Sequence, residues 1–297
     1  MTATDGTIVG VIGLGTMGHP MAANIMAAKQ AAIVRVTARR PGSAEDLVAD
    51  GAQWCDTAAS LADGADVVVL MLPDLPEVEQ VLAGPEGLLA GVSGPLALVI
   101  SSTCSPEGVR QLAARLTDQT DGRVSVVDAP VSGGEDGAVA GTLSIMVGGE
   151  DAAVARALPT LAACGTPVHL GRLGAGEVAK ACNQIIVAAT VLSLGESAVL
   201  ADRSGIDVRA MFDLFAGGYA GSRILATRGP RIADQDYAPS GMAKYMAKDL
   251  GFATTVAEQT STHPALLPAL SAAFAELVDA ELGDQDIAVT RRFIERR

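Results

Sequence analysis

The apolar positions of the chain fall into two regimes. Between residues 7 and 130, short runs rich in Val, Ile and Leu recur: TIVGVIGL (7–14), AIVRVT (32–37), DVVVLML (66–72), LALVISS (96–102) and VSVVDAP (124–130). Runs of this length, β-branched and bounded by Gly, Pro, Asp or Ser, predict strands. They are almost continuously apolar rather than alternating, which predicts a parallel sheet covered on both faces. Stretches with helical spacing, such as GHPMAANIMAAK and PEGVRQLAARLTD, lie between them. The strand-helix alternation predicts an α/β domain.

After about residue 165 the strand signal fades and the apolar period becomes helical. GAGEVAKACNQIIVAATVLSLGESAVLA (174–201) predicts one long helix, followed by helical patterns in DVRAMFDLFAGG, MAKYMAKDLGFATTVAEQTS and HPALLPALSAAFAELVDAELG. At 1.5 Å per residue the long helix spans roughly 40 Å, enough to join two domains. A chain of 297 residues is near the size at which single cores give way to two. The expected organisation is an α/β domain over 1–167 and an all-helical domain over 168–297, joined by this helix. No low-complexity tract or fixed-period repeat interrupts it.

One turn in the first half carries chemistry. VIGLGTMGHPMAAN places Gly13, Gly15 and Gly18 in G-x-G-x-x-G spacing, after a predicted strand and at the start of a predicted helix. Gly13 allows the tight turn, Gly15 lets a pyrophosphate approach the backbone, and Gly18 permits close helix-strand packing. The bare pattern also fits a glycine-rich turn in any α/β protein. Its strand-turn-helix context favours a Rossmann-type dinucleotide site built from Gly13, Leu14, Gly15, Thr16, Met17 and Gly18, with phosphates at the helix N-terminus. At the end of the second strand, VTARRPGS has no acid to accept a ribose hydroxyl. Arg39 and Arg40 instead offer planar cations suited to a 2'-phosphate, so NADP is expected over NAD. The alternative is two solvated surface arginines, which leaves NAD open.

Composition narrows the partners. With 34 acidic and 21 basic residues, the formal charge is -13, which argues against binding a phosphate backbone; no nucleic-acid partner is expected. Cys55, Cys104, Cys164 and Cys182 are far apart and form no C-x-x-C pair, and His19, His169 and His263 are isolated. The expectation is reduced thiols and no metal site. No G-x-S-x-G elbow is present for a serine hydrolase. The N-terminal apolar run lacks a preceding basic segment and is broken by glycines, so a cytoplasmic protein with no membrane segment is expected.

GLGTMGHPMAAN, MLPD, SSTCSPEG, DAPVSGG, GAGEVAKACNQ and KDLGFA, in this order from residue 13 to 253, together resemble the β-hydroxyacid dehydrogenase family. That family includes 3-hydroxyisobutyrate dehydrogenases and tartronate semialdehyde (2-hydroxy-3-oxopropionate) reductases. The resemblance implies a catalytic lysine at Lys180, a supporting amide at Asn183, and a substrate-carboxylate loop at Ser132, Gly133 and Gly134. It places Thr103 near the nicotinamide, Leu72 and Pro73 along the cofactor, and Lys248 beside cofactor and substrate. Gln184 stands where many members have a second asparagine, a feature shared with tartronate semialdehyde reductases, and FAGGYAGSRIL leans the same way. Related imine reductases lack the lysine kept here, and decarboxylating phosphogluconate enzymes are much longer. A homodimer or homotetramer acting on a small carboxylate-bearing semialdehyde or hydroxy acid is implied.

The residues suit that chemistry. Reducing a carbonyl requires a proton donor as charge builds on oxygen, and positioned acid-base help contributes ~10² to 10⁴ in rate. Lys180, Asn183 and Gln184 are three and four positions apart and share a helix face. Alternatively, Lys180 snorkels from an apolar surface to water. In DAPVSGG, consecutive glycines after a strand can aim backbone amides at an anion, with Ser132 adding a hydroxyl; an ordinary turn would read the same way.

Overall fold

The computed structural model describes residues 6–297. It separates into two compact units, one ending at Lys180 and one running from Ala181 to Arg297.

The first unit is an α/β sheet domain. Its strands are β1 (Ile8–Ile12), β2 (Ile33–Thr37), β3 (Gln53–Trp54), β4 (Val67–Leu70), β5 (Leu96–Ile100), β6 (Val124–Asp128), β7 (Val131–Ser132), β8 (Leu143–Gly148) and β9 (Gly165–Gly171). The order is β3-β2-β1-β4-β5-β6-β8-β7, with β9 on β8. Strands β1 to β6 pair in parallel, with Ile12 opposite Leu70 and Ile100 opposite Asp128. The helices are α1 (Gly18–Ala27), α2 (Glu45–Ala49), α3 (Ala58–Ala62), α4 (Leu75–Leu82), α5 (Pro106–Gln119), α6 (Gly134–Val139) and α7 (Asp151–Ala162).

Alternation along the strands assigns each face its own core. Val67 and Val69 join Met21, Leu143 and Leu161 in one layer, while Val68 and Leu70 join Leu61, Leu98 and Leu116 in the other. Strands β1, β4, β5 and β6 contribute to both layers, as their apolar runs require, whereas β2 gives Val34 and Val36 to the first layer only and carries the half-buried Arg35 between them.

Four further strands carry weaker signals. Strand β8 runs antiparallel to β7 and meets β6 at the single pair Asp128-Gly148. Strand β9 is a largely exposed strand containing Pro167, so it lacks the apolar run that marks a buried strand; proline is tolerated on an edge. The expected boundary at 167/168 falls inside β9, whose pairing with β8 ties it to the sheet. The first unit accordingly continues past residue 167.

Helix α8 (Ala175–Arg203) starts in the first unit and continues into the second. The second unit is helical: α9 (Val208–Ala216), α10 (Arg223–Asp234), α11 (Ala243–Gln259), α12 (Leu267–Asp279) and α13 (Thr290–Glu295). Ala181, Ala188, Val191, Leu194 and Ala198 of α8 pack with Phe212, Leu250, Phe274 and Leu277. Among the described residues, α8 is long and apolar enough to cross a membrane, but its three-four spaced apolar positions belong to this core. The buried Asp286 carboxylate pins the unit together, facing Arg231 at 3.1 Å and Arg228 at 3.5 Å.

Candidate active site

Parallel pairing puts the carboxyl ends of β1, β2, β4, β5 and β6 on one edge of the sheet. The segments that follow those ends are the ones singled out by sequence: the glycine turn, Arg39-Arg40, Leu72-Pro73, Thr103 and Ser132-Gly134. The strand order reverses between β1 and β4, and open α/β sheets bind ligands at that switch point.

The glycine turn fits a dinucleotide. Gly13 has φ +98°, a left-handed conformation that side chains rarely adopt, and a methyl there would stand 2.3 Å from the Met71 carbonyl. A methyl on Gly18 would lie 1.9 Å from the Gly13 carbonyl, so α1 closes on the turn only without a side chain. At Gly15 an added Cβ meets nothing within 4 Å, which leaves the backbone open to a ligand beside exposed Thr16 and half-buried Met17. Two crowded glycines and one open one are what a pyrophosphate cradle requires. Arg39 and Arg40 are exposed after β2.

His19, in the first turn of α1, holds the Asp46 carboxylate through Nε2 at 2.9 Å. That hydrogen bond keeps the Asp46 carboxyl below its ordinary range. The Leu72 N–H donates to Ser102 Oγ at 3.0 Å, tying the turn after β4 to the end of β5.

The segment DAPVSGG breaks the sheet edge. Asp128 ends β6 and Val131-Ser132 forms β7; Gly133 and Gly134 then take φ +140° and +64° as they enter α6. These positive values turn the chain sharply after Ser132, exposing the Gly134 backbone. Asn24 of α1 donates from Nδ2 to the Ala138 carbonyl at 2.7 Å, so the helix that opens at the glycine turn also holds α6.

Lys180 lies against this loop. Its Nζ donates to the Val131 carbonyl at 2.8 Å, and the residue is buried. The structure thus joins Lys180 to the residue immediately before Ser132, and snorkelling to water is not its arrangement.

Two carboxylates at the same place were not singled out by sequence. Asp128 is fully buried and accepts the Gly174 and Glu177 amides, each at 2.8 Å. Burial pushes its carboxyl up, and these two amides pull it back. Glu177, also buried, accepts the Cys104 amide at 3.1 Å. The available signals were an acid at the end of an apolar strand and another one turn before Lys180.

In the second unit a connected polar chain surrounds the other predicted residues. Asn183 Nδ2 donates to Gln184 Oε1 at 2.9 Å, and Gln184 Nε2 donates to Asp249 Oδ2 at 2.6 Å. Lys248 Nζ lies 3.6 Å from Asp249 Oδ1 and 5.0 Å above the Phe252 ring. Asn183, Gln184 and Lys248 are therefore linked through Asp249, the third residue missed by sequence, whose only sign was its place beside Lys248.

Known proteins place the chain in one lineage. Residues 8–174 match the NAD binding domain of 6-phosphogluconate dehydrogenase, and residues 174–294 match the NAD-binding domain of NADP-dependent 3-hydroxyisobutyrate dehydrogenase. The chain is 37% identical to a 3-hydroxyisobutyrate dehydrogenase of Pseudomonas aeruginosa over 86% of its length and 88% of the relative's. It is also 37% identical to a 2-hydroxy-3-oxopropionate reductase of Escherichia coli, over 82% of each. A crystal structure of a 3-hydroxyisobutyrate dehydrogenase from Salmonella typhimurium superposes with a TM-score of 0.88 at 27% identity, covering 96% of this chain and 99% of that one. The chain belongs to the β-hydroxyacid dehydrogenase family, oxidoreductases that bind NAD(P) and act on a CH-OH group.

Proposed function

We propose that this enzyme is an NADP-preferring reductase of a small carboxylate-bearing semialdehyde, with tartronate semialdehyde to glycerate as its reaction. The observation that carries the reading is the Lys180 amine, buried and held 2.8 Å from the Val131 carbonyl at the threshold of the Ser132-Gly134 loop. A proton donor is thereby fixed beside a turn suited to a carboxylate.

When bound, the reduced nicotinamide supplies the hydride. The chain supplies the rest. Amides of Gly133 and Gly134, with the Ser132 hydroxyl, hold the substrate carboxylate, a role backbone donors at positive φ perform well. One Lys180 N–H stays donated to the Val131 carbonyl, which fixes the amine's direction. Another passes to the substrate oxygen as charge builds there, and in the oxidative direction the amine takes it back. Asn183, one helical turn on from Lys180, orients the substrate hydroxyl.

Arg39 and Arg40, and the lack of an acid after β2, support NADP. Gln184 and the FAGGYAGSRIL segment support tartronate semialdehyde over 3-hydroxyisobutyrate. Ile186 and Leu200, 68% and 69% exposed on α8, support burial against a second copy in a homodimer or homotetramer, which light scattering would read directly.

The deciding experiment assays C3 to C5 semialdehydes and hydroxy acids with both cofactors. Tartronate semialdehyde with NADPH is expected to give the highest kcat/KM. In the Arg39→Ala/Arg40→Ala double variant, KM for NADPH should rise by at least about tenfold, the loss of ~1.4 kcal/mol, while KM for NADH stays nearly constant. Equal changes for both cofactors would remove the NADP assignment, and a higher kcat/KM for 3-hydroxyisobutyrate would remove the substrate.

A further inference from the structure

We propose that Asp128 and Glu177 are positioning residues: together they fix the first turn of α8, and through it the height and direction of the Lys180 amine. This rests on Lys180 being the proton donor proposed above, and it assigns work to two buried acids which that chemistry does not use.

Helix α8 cannot cap its own N-terminus. Four amides at a helix N-terminus have no partner within the helix. The usual solution is a Ser, Thr, Asp or Asn side chain at the flanking position. Here that position is Gly174, at φ +91°, with no side chain to offer. Asp128, from the end of β6, reaches the same amides instead: Oδ1 takes Gly174 N and Oδ2 takes Glu177 N. The third helical residue, which a local cap would serve, is thus held by a carboxylate 49 positions earlier in the chain.

The packing allows little freedom about this contact. A methyl on Gly148 would sit 2.4 Å from Asp128 Oδ1, and one on Gly176 would sit 2.2 Å from the Met146 carbonyl and 2.9 Å from Asp128 Oδ2. Glycines thus leave room for the carboxylate and the helix end to meet. Glu177 adds a second tether, accepting the Cys104 amide at 3.1 Å, one residue past Thr103 at the carboxyl edge of the sheet.

The consequence for Lys180 follows from spacing. Lys180 is one turn after Glu177, and its amine is bonded to Val131, three residues after Asp128. The DAPV segment therefore holds α8 at two points, by its first-turn amides at Asp128 and by the lysine amine at Val131. Rotation or sliding of the helix at the first point moves the amine relative to Ser132-Gly134. Misplacement of a reacting group by about 1 Å can cost ~10² in rate.

The test compares Asp128→Asn, Glu177→Gln and Lys180→Ala with Leu116→Ala, a core truncation in the sheet's other layer. The readouts are kcat, both KM values, the NADPH dissociation constant by fluorescence, and Tm, using the best pair from the semialdehyde panel. Asparagine keeps one acceptor oxygen but turns an NH2 toward the other amide. Asp128→Asn should lower kcat by about 10- to 100-fold while the NADPH dissociation constant stays within about twofold. Glu177→Gln, which leaves the Asp128 contacts in place, should show the same pattern with a smaller drop. Leu116→Ala should lower Tm and leave kcat of the folded protein unchanged.

If both acid variants keep wild-type kcat, or lose activity only as Leu116→Ala does or only through KM, the positioning role is overturned. If Asp128→Asn does not fold, Glu177→Gln decides by the same criteria. Substantial turnover in Lys180→Ala would instead overturn the reading on which this rests, so the two failures are distinguishable.

Discussion

The two units prepare their parts of the chemistry by different means. In the first, the groups proposed above to meet ligand are mainly backbone: the open Gly15, the amides after Ser132, and the Val131 carbonyl that holds Lys180. Even the buried Asp128 is answered by peptide N–H groups. In the second, side chains answer side chains, with Asn183, Gln184, Asp249 and Lys248 in one chain and Asp286 between Arg228 and Arg231. A backbone site is specified by where side chains are absent, and it fails when one is added. A side-chain site fails when one is removed, because each partner is left with an unmet polar group.

Additions should have the largest effect on the first unit. Gly18→Ala forces a methyl to 1.9 Å from the Gly13 carbonyl, and overpacking of that kind costs about 1–3 kcal/mol. Both Tm and cofactor affinity should fall, the affinity by at least about tenfold. Gly15→Ala separates the two effects: its methyl enters open space, so Tm should hold while NADPH binding still weakens. Titration of cofactor fluorescence alongside thermal melts reads both, and a Gly15→Ala protein that binds NADPH like wild type would show that the cradle lies elsewhere.

Removals should act next, on the second unit. Gln184→Ala takes a donor from the buried Asp249 carboxylate and the acceptor from Asn183, at a cost of roughly 1–3 kcal/mol for the stranded groups. Asp249→Asn should cost less, since an amide oxygen can still accept from Gln184. Amide exchange along α11 should accelerate in the order wild type, Asp249→Asn, Gln184→Ala, with NADPH affinity nearly unchanged. A Gln184→Ala protein with wild-type exchange would show that the chain of bonds carries no stability.

The same contrast explains what the sequence made legible. Strands β1, β2, β4, β5 and β6 and the glycine turn are local statements: a run of Val and Ile, or three glycines at fixed spacing, constrains only its own neighbourhood. The edge strand β9 was missed because half-solvated backbone needs no apolar run, the two-residue β7 because it is too short to carry a pattern, and β8 because its main partner is β9. The shared helix face of Lys180, Asn183 and Gln184 is local spacing, but their roles, and Lys248 altogether, came from resemblance. Asp128, Glu177 and Asp249 could not be singled out, since an acid becomes a cap or a clamp only when a distant segment arrives. Gly174 is the telling case: a helix start without its own cap needs one from elsewhere, but its sequence does not say where.

Thiol chemistry gives the mildest test of the division. The first unit buries Cys55, Cys104 and Cys164, whereas Cys182 of the second is exposed. Burial pushes the Cys164 thiol up to about 12 and raises that of Cys55 as well, and only the thiolate reacts readily. An excess of a disulfide reagent at pH 8 should therefore titrate Cys182 alone in the native protein and all four thiols in denaturant. Cys182 is two positions from Lys180, about 200° around a helix of 3.6 residues per turn, so its modification should leave most turnover intact. The buried thiol also has a pH signature. Folded Cys164 keeps its proton up to about 12, whereas the ordinary value is 9.0, so between these values the folded chain binds more protons than the unfolded one. Its contribution is fully present below about pH 9 and is lost as pH rises toward 12. Cys164→Ala should lower stability at pH 7 by removing packed atoms, yet its stability should fall less steeply than wild type above pH 9. Urea midpoints measured from pH 7 to 11 would show the two curves converging; parallel curves would mean that Cys164 is not held protonated by the first unit's core.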